Sequence, residues 1–158
     1  MANDRVDPLT SFRFVIEIED DEGAIQAAFS SFSGIKIHTE IIKVRSGSDS
    51  RGVMTPVPAR TQYENVKLTK GVIGGNELLE WLSAVAPGHI SAPSGRKPYR
   101  QINIYAVDAA GDYAVCWTLY QALPVAYELS QMDALTNAVL SESIEFAYTG
   151  FKRTIMKG

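Results

Sequence analysis

Strict alternation of side-chain character near the start of the chain is the feature that most restricts its fold. Phe12, Phe14, Ile16 and Ile18 alternate with a second set, which is Arg13, Val15, Glu17 and Glu19. Successive side chains of a β-strand point to opposite faces, so this period of two buries one set and turns the other outward. The segment is therefore predicted to be a strand with one face on a core.

The region after this strand is predicted to continue as antiparallel strands. Acidic residues and a glycine at 20–23 favour a turn, and a returning strand is expected at 27–32. Further along, apolar positions alternate up to Ile41 and then shift to Ile42 and Val44. Because a shift of one residue moves side chains to the other face, a β-bulge is predicted near Ile41.

The last third of the chain carries the same strand signals. Residues 108–112 have the composition of a hairpin turn between strands at 102–106 and 113–119. Three further strands are predicted at 66–68, 125–127 and 140–148.

One helix and two loops complete the predicted elements. A helix is expected at 76–85, with Asn76 as the N-cap and with one apolar face formed by Leu78, Trp81, Leu82 and Val85. Pro87 and Gly88 end it. Residues 45–58 and 89–100 are rich in Pro, Gly and Ser, so both are expected to be long loops, the first of them mobile.

These elements predict a mainly β protein with two packed antiparallel sheets, in a sandwich or partly closed barrel, and one flanking α-helix. A length of 158 residues and a mass of 17.3 kDa suit a single domain over 1–158. Hydrophobic residues at 46% and charged residues at 21% are typical of a soluble globular protein.

Charge and cysteine content exclude several classes of protein. A formal net charge of -3 provides no positive field for nucleic acid, and Arg96, Lys97 and Arg100 are expected in a solvated loop. The single cysteine, Cys116, excludes an internal disulfide framework and a zinc site built from thiolates. The first residues lack the apolar core of a signal peptide and no apolar run is long enough to span a bilayer, so cytosolic synthesis is expected.

The sequence contains no pattern typical of an active site. His38 and His89 are not at metal-ligand spacing, and the glycines at 71–75 lack the order of a phosphate-binding loop. The acidic group at 19–22 lacks the spacing of a calcium loop, and Cys116 has no base nearby in sequence. We therefore predict no catalytic, cofactor or metal site, and a protein that is not an enzyme.

Four aromatic residues leave an alternative open. Trp81, Trp117, Phe146 and Tyr148 are expected to form the core. The alternative is that they line the pocket of a small-molecule-binding β-barrel, which would be a stable monomer with a sizeable apolar cavity.

Four segments, spread over most of the chain, follow a recognisable order. They are 7–18 (DPLTSFRFVIEI), 29–35 (FSSFSGI, with an F-x-x-x-S-G turn), 63–71 (YENVKLTKG, of the form Y-x-N-x-x-L-x-K-G) and 145–153 (EFAYTGFKR). Together with a helix after the third segment, they resemble the tail-tube protein family of contractile phages and phage-tail-like contractile injection systems. Residues 89–100 depart from that family's pattern.

The resemblance implies a structural subunit of an inner tube. Six copies would close into a ring whose inner strands form a continuous barrel, and rings would stack into a conduit and piston that a surrounding sheath drives through an envelope. The implied partners are other copies, the sheath, the baseplate or spike, and terminator proteins, with protein cargo or DNA in the lumen. The protein would end up in a phage tail or a phage-tail-like particle, and its acidic charge would suit a bore that does not retain nucleic acid.

The resemblance implies that the loop at 45–58 extends as a hairpin towards the adjacent ring, as it does in members of the family. The residues expected to form inter-ring contacts are Val44, Arg45, Ser48, Asp49, Arg51 and Met54. Two relatives remain open as alternatives, a tube-initiating or adaptor subunit at the baseplate and a secreted tube of the type VI kind. Whether the particle is a virus or a bacterial device also remains open.

Overall fold

The computed structural model describes most of the chain and shows a mainly β protein. The described residues are 13–20, 23–27, 29–45, 47–48, 50–71, 77–89, 97–135 and 140–156. Their helix is α1 (Glu77–Val85), and their strands are β1 (Arg13–Asp20), β2 (Gly23–Ala27), β3 (Ser31–Phe32), β4 (Ile37–Arg45), β5 (Met54–Tyr63), β6 (Val66–Gly71), β7 (Arg100–Val107), β8 (Tyr113–Leu129), β9 (Ser141–Ala147) and β10 (Gly150–Ile155).

Eight strands form one antiparallel sheet, which the long strand β8 divides into two halves. The first half of β8 pairs with β7 and β10, and its second half pairs with β9. The pairing changes around Gln121, whose φ of 53° lies in the left-handed region. Among the described residues, the order β2-β1-β7-β8-β9-β6-β3 is open at both ends, so the predicted sandwich is confirmed and no closed barrel forms.

Both halves of the sheet and the helix share one hydrophobic core. The predicted helix is present, and its Leu78 and Trp81 are buried while Val85 is exposed at the end. The Trp81 ring lies 6.2 Å from that of Phe146, and its indole N–H donates a hydrogen bond of 2.7 Å to the Pro98 carbonyl. The proposed N-cap, residue 76, lies outside the described residues.

Arg100 corrects the expectation of a solvated basic loop. It is only 4% exposed, and its guanidinium carbon lies 5.5 Å from the centroid of the Trp81 ring. A desolvated cation is attracted to the face of an indole, which accounts for its position at the start of β7. Lys97 is exposed as predicted, while Arg96 and the rest of 90–96 lie outside the described residues.

The predicted loop at 45–58 is shorter in the structure, because β5 already begins at Met54 and only 46–53 connect it to β4. Pro56 and Pro58 suggested a loop because proline cannot donate a backbone hydrogen bond. Among the described strands, however, β5 pairs only with β4, so a residue without an N–H is tolerated where it faces the unpaired edge.

Two local predictions are confirmed. The register of β4 and β5 shifts between Thr39 and Ile41, which is the β-bulge predicted from the slip in apolar phase. The turn at 108–112 joins β7 and β8, and the Asp108 carboxylate accepts hydrogen bonds from the backbone N–H groups of Ala110 (2.9 Å) and Asp112 (3.0 Å).

Three strand predictions differ from the structure. The strand expected at 27–32 is divided, because β2 ends at 27 and the short β3 pairs with β6 instead. The two strands expected at 113–119 and 125–127 are the single 17-residue strand β8. The closing strand ends at Ala147, and a further strand, β10, follows it along the same side of β8.

Candidate assembly surface

The β4–β5 hairpin is the most exposed apolar part of the described structure. Its two strands contact each other and make no more than isolated contacts with any other helix or strand. Seven large hydrophobic residues of this hairpin are between 41% and 53% exposed: Ile37, Ile41, Ile42, Val44, Val53, Met54 and Val57. Contiguous exposed apolar surface of this kind marks an interaction site in a protein that is otherwise well packed.

The pairing register shows how the apolar residues are arranged. Ile42 lies opposite Val57, and Val44 lies opposite Thr55, so these four side chains share one face of the hairpin. The opposite face is mixed, with Arg45 opposite Met54. The hairpin therefore presents an apolar face and a more polar one.

Charge also distinguishes the hairpin from the rest of the chain. Residues 37–63 contain four Lys or Arg residues and two Asp or Glu residues, so they carry a formal charge of +2 while the remainder carries -5. A basic projection on an acidic body favours contact between different surfaces of two copies over contact between two identical surfaces.

The base of the hairpin is anchored to the body by aromatic contacts. The ring of Tyr63 lies 5.2 Å from that of Tyr148 and 6.3 Å from that of Phe151. Lys36 and Glu64, just outside the two strands, form an exposed ion pair of 3.2 Å, and the backbone N–H of Glu64 donates to the Lys36 carbonyl at 2.9 Å. The hairpin is thus fixed at one end and exposed along its length.

The residues predicted from sequence for inter-ring contacts are placed together at the far end of this hairpin. Val44 and Arg45 end β4 and Met54 begins β5, while Ser48 and Arg51 lie exposed in the connection. Asp49 lies outside the described residues. The sequence prediction did not include the other five exposed hydrophobic residues of the hairpin, although their β-branched side chains were a usable signal; they are Ile37, Ile41, Ile42, Val53 and Val57.

Open strand edges form a second feature of the surface. Among the described strands, β2 and β3 end the sheet and β10 has a partner only on its β8 side. The exposed Phe151, Ile155 and Met156 belong to or follow this last edge strand. Unpaired backbone donors and acceptors along such edges are templates for pairing with another chain.

A cavity of about 520 Å³ opens between the two halves of the sheet. Phe14, Phe32, Ile104, Ala106 and Trp117 line it, together with Ser30 and Ser31. Of the four aromatic residues predicted for the core, Trp81, Phe146 and Tyr148 are buried there, whereas Trp117 is half-buried and faces this cavity.

A buried ion pair lies away from these surfaces and was not predicted. Lys70 Nζ on β6 is 3.2 Å from Glu142 Oε1 on β9, with side-chain exposures of only 6% and 11%. Tyr127 on β8 donates a hydrogen bond of 2.7 Å to Glu142 Oε2. Burial, followed by this contact with the carboxylate, raises the pKa of Tyr127 to about 12. The signal in the sequence is Glu142 itself, which interrupts the apolar alternation of β9.

The described part of the chain contains no cluster of three or more His, Cys, Asp or Glu residues arranged to hold a metal ion. Cys116 is a buried free thiol, as expected of a small packed residue. Within the same residues, no helix is long and apolar enough to cross a membrane. The surface is therefore best described by its shape, its exposed apolar residues and its charge.

Comparison with known proteins identifies the family. The family model described as T4-like virus tail tube protein gp19 matches residues 10–152. The chain belongs to this tail tube family. The sequence resemblance is thereby confirmed, since the match covers most of this tail tube protein. No curated protein matches it.

Solved structures similar to this tail tube protein include chains of the anti-feeding prophage and of an extracellular contractile injection system. A chain of the anti-feeding prophage baseplate, 6-fold symmetrised, has a TM-score of 0.79 at 21% identity, covering 96% of this chain and 99% of the other. A chain of the sheath–tube complex of the extracellular contractile injection system PVC has a TM-score of 0.77 at 23% identity, covering 96% and 95%. The anti-feeding prophage tube-terminating cap gives a TM-score of 0.75 at 25% identity, covering 98% and 99%.

Proposed function

We propose that this tail tube protein is the repeating subunit of the inner tube of a contractile injection particle. Copies close into hexameric rings, and rings stack into a conduit inside a sheath. A terminator caps one end and a baseplate holds the other. In this proposal the subunit performs no covalent chemistry, and protein or DNA passes through a bore whose walls suit its acidic overall charge.

The exposed hairpin is the observation that carries the proposal. Full burial of one exposed Val, Ile or Met side chain contributes about 1.5–3 kcal/mol, and the hairpin leaves seven such residues between 41% and 53% exposed. At about 3.4 Å per residue, the nine residues of β4 span roughly 30 Å, which is enough to reach a neighbouring subunit. The hairpin end, with Val44, Arg45, Ser48, Asp49, Arg51 and Met54, is proposed as the contact between rings.

Ring closure is supported by the open edges of the sheet. Head-to-tail association of one edge with a different edge of the next copy closes into a ring when the rotation is appropriate, and it removes the unpaired edges. The 6-fold symmetry of the similar anti-feeding prophage baseplate is the basis for proposing six copies.

The test is to delete 46–51 and to follow assembly by negative-stain electron microscopy. We expect the deleted protein to keep the circular dichroism spectrum and thermal unfolding of the original, and to form rings but few or short tubes. A matched control replaces Met132 and Leu135, exposed apolar residues outside the hairpin, with serine. Tubes of normal length from the deletion variant would exclude the hairpin as the contact between rings.

The similarity to a tube-terminating cap favours a second candidate, a specialised subunit at one end of the tube. Such a subunit would occur in one ring per particle and would not repeat along the tube. Quantitative mass spectrometry of purified particles separates the two functions, because the repeating subunit is expected in large excess over the baseplate proteins.

A further inference from the structure

The cavity between the two halves of the sheet has the size and the lining of a site for an apolar ligand. Its volume of about 520 Å³ lies within the range of roughly 300–1,000 Å³ that is typical of small-molecule pockets. Phe14, Phe32 and Trp117 contribute most of its walls, and the hydroxyl of Ser30 is already donated to the Thr69 carbonyl at 3.1 Å. Because an apolar cavity offers water few hydrogen-bond partners, an apolar guest is favoured over solvent.

The register of the sheet shows what lies beside the cavity floor. Ile104 and Trp117 line the cavity, and they are paired with each other across β7 and β8. Trp117 is paired in turn with Arg153 of β10, so the three side chains form one row across the sheet. Neighbouring strands lie about 4.8 Å apart, so this row spans roughly 10 Å from β7 to β10. It begins on the apolar floor and ends at a cation.

Arg153 is placed to act at the open side of the cavity. Its side chain is exposed, and directly opposed residues of an antiparallel pair have Cβ atoms about 4.5–5.5 Å apart, so its guanidinium can reach a molecule bound against Trp117. The planar fork of a guanidinium matches the geometry of a carboxylate. The neighbouring cation Lys152 is paired with Thr118, and because side chains alternate along a strand, it lies on the opposite face of the sheet.

An elongated apolar floor that ends in one cation is complementary to a linear molecule with an apolar chain and a single negative head group. A peptide is a poorer match for these walls, because it would bring backbone N–H and C=O groups into an apolar cavity without hydrogen-bond partners. An acyl chain carries no such groups. The chemistry of the site therefore favours a fatty acid.

We propose that the dispersed subunit binds one fatty acid, with the acyl chain in the cavity and the carboxylate at Arg153. All residues of this site belong to one chain, so it goes beyond the proposed tube function and does not depend on it. The bound chain covers Phe14, Phe32 and Trp117, which the subunit otherwise leaves accessible through the open side of the cavity.

Isothermal titration calorimetry of the dispersed protein tests the acyl-chain contact. Sodium decanoate, kept below its micelle concentration, is expected to bind with a stoichiometry of one. Octanoate, which is shorter by two methylene groups, is expected to bind about 15-fold more weakly, because each buried methylene strengthens binding about fourfold. Ser31→Phe places a ring at the cavity and is expected to abolish binding, while the circular dichroism spectrum and the thermal midpoint are retained.

The carboxylate contact is tested by exchanging charge on the protein and on the ligand. Arg153→Gln is expected to weaken decanoate binding by about three- to fivefold and to leave binding of the uncharged alcohol decanol unchanged. Arg153→Lys keeps the charge and should retain most of the affinity for decanoate. Lys152→Gln, on the opposite face of the sheet, is the matched control and should bind decanoate as the original protein does.

Tryptophan fluorescence locates the ligand. The chain has two tryptophans, and Trp81 is fully buried in the core against Phe146, so only Trp117 is expected to respond to decanoate. The fluorescence change should disappear in Trp117→Phe, while calorimetry still detects binding.

Several results would overturn the fatty-acid site. They are no binding of decanoate to the folded protein, equal affinities of Arg153→Gln and Lys152→Gln, unimpaired binding by Ser31→Phe, and a fluorescence change that persists in Trp117→Phe. Binding to vesicles of phosphatidylglycerol without binding of free decanoate would also overturn it, and would indicate a membrane surface as the ligand. If decanoate binds as expected but the protein forms no tubes even when seeded with baseplate, the tube function alone fails.

Discussion

The buried ion pair between Lys70 and Glu142 allows two influences on the energy of an ion pair, its burial and its separation, to be distinguished. Replacing Glu142 with Gln removes the negative charge with little change in shape and leaves the Lys70 ammonium in a site where its side chain is only 6% exposed. Removal of one partner from a buried pair costs about 3–5 kcal/mol. The chain also offers a control, because Lys36 and Glu64 are separated by the same 3.2 Å but are 70% and 58% exposed.

The expected results follow from this difference in exposure. Glu142→Gln is expected to lower the free energy of unfolding by about 3–5 kcal/mol, whereas Glu64→Gln lowers it by less than about 1 kcal/mol. The double variant Lys70→Met with Glu142→Leu removes both charges, and it should recover most of the loss because apolar residues can replace a buried pair at little cost.

Urea unfolding of the dilute, unassembled protein, followed by circular dichroism, measures all of these values. For a chain of this size, about 1 kcal/mol corresponds to roughly 2–4 °C in the thermal midpoint, so a thermal scan provides a second measurement. The reasoning is refuted if Glu142→Gln costs no more than Glu64→Gln, or if the double apolar variant is as unstable as Glu142→Gln.

Two further predictions concern β8. The pKa of Tyr127 is raised from 10.0 to about 12, so its contribution to stability is complete below pH 10 and is lost as the pH rises through 12. The free energy of unfolding of Tyr127→Phe should therefore depend less on pH over this range than that of the exposed control Tyr99→Phe. Equal pH dependence of the two variants would contradict the assignment. Gln121 has a φ of 53°, a conformation that costs a residue other than glycine about 1–2 kcal/mol. Gln121→Gly should therefore raise the free energy of unfolding measured in urea. The control Gln101→Gly, within the regular strand β7, should lower it.

Where the sequence predicted the structure correctly, the determining forces were local. The bulge near Ile41 follows from a slip in the apolar phase, which only a change of register can accommodate. The turn at Asp108 follows from a side chain that bonds its own backbone. The helix face formed by Leu78 and Trp81 follows from helical periodicity.

The incorrect predictions depend on contacts between distant parts of the chain. Pro56 and Pro58 suggested a loop. They are compatible with a strand because, among the described strands, β5 pairs on one edge only, and a proline can face the other edge. Pro124 lies within β8, next to the shift in register between Pro124 and Ala126. Arg100 was expected to be a surface cation. Its burial depends on the Trp81 ring, which belongs to a helix earlier in the chain, so the local sequence does not reveal it.

The exposed hairpin that we propose as an assembly surface could be recognised only in part from the sequence, for the same reason. Val44, Arg45 and Met54 were selected through the family resemblance, and the structure places them together at the end of the hairpin. The cavity could not have been predicted, because Phe14, Phe32 and Trp117 come from three strands whose convergence depends on the whole sheet.

The isolation of the β4–β5 hairpin has a consequence for how filaments begin to grow. A two-stranded ribbon without further packing is only marginally stable in water, so a free molecule must lose conformational entropy in this segment when it meets its first neighbour. Two dispersed molecules therefore gain little from a single encounter, while a molecule that joins a preformed ring gains several contacts at once. Length should consequently be set by the number of starting complexes and not by protein concentration alone.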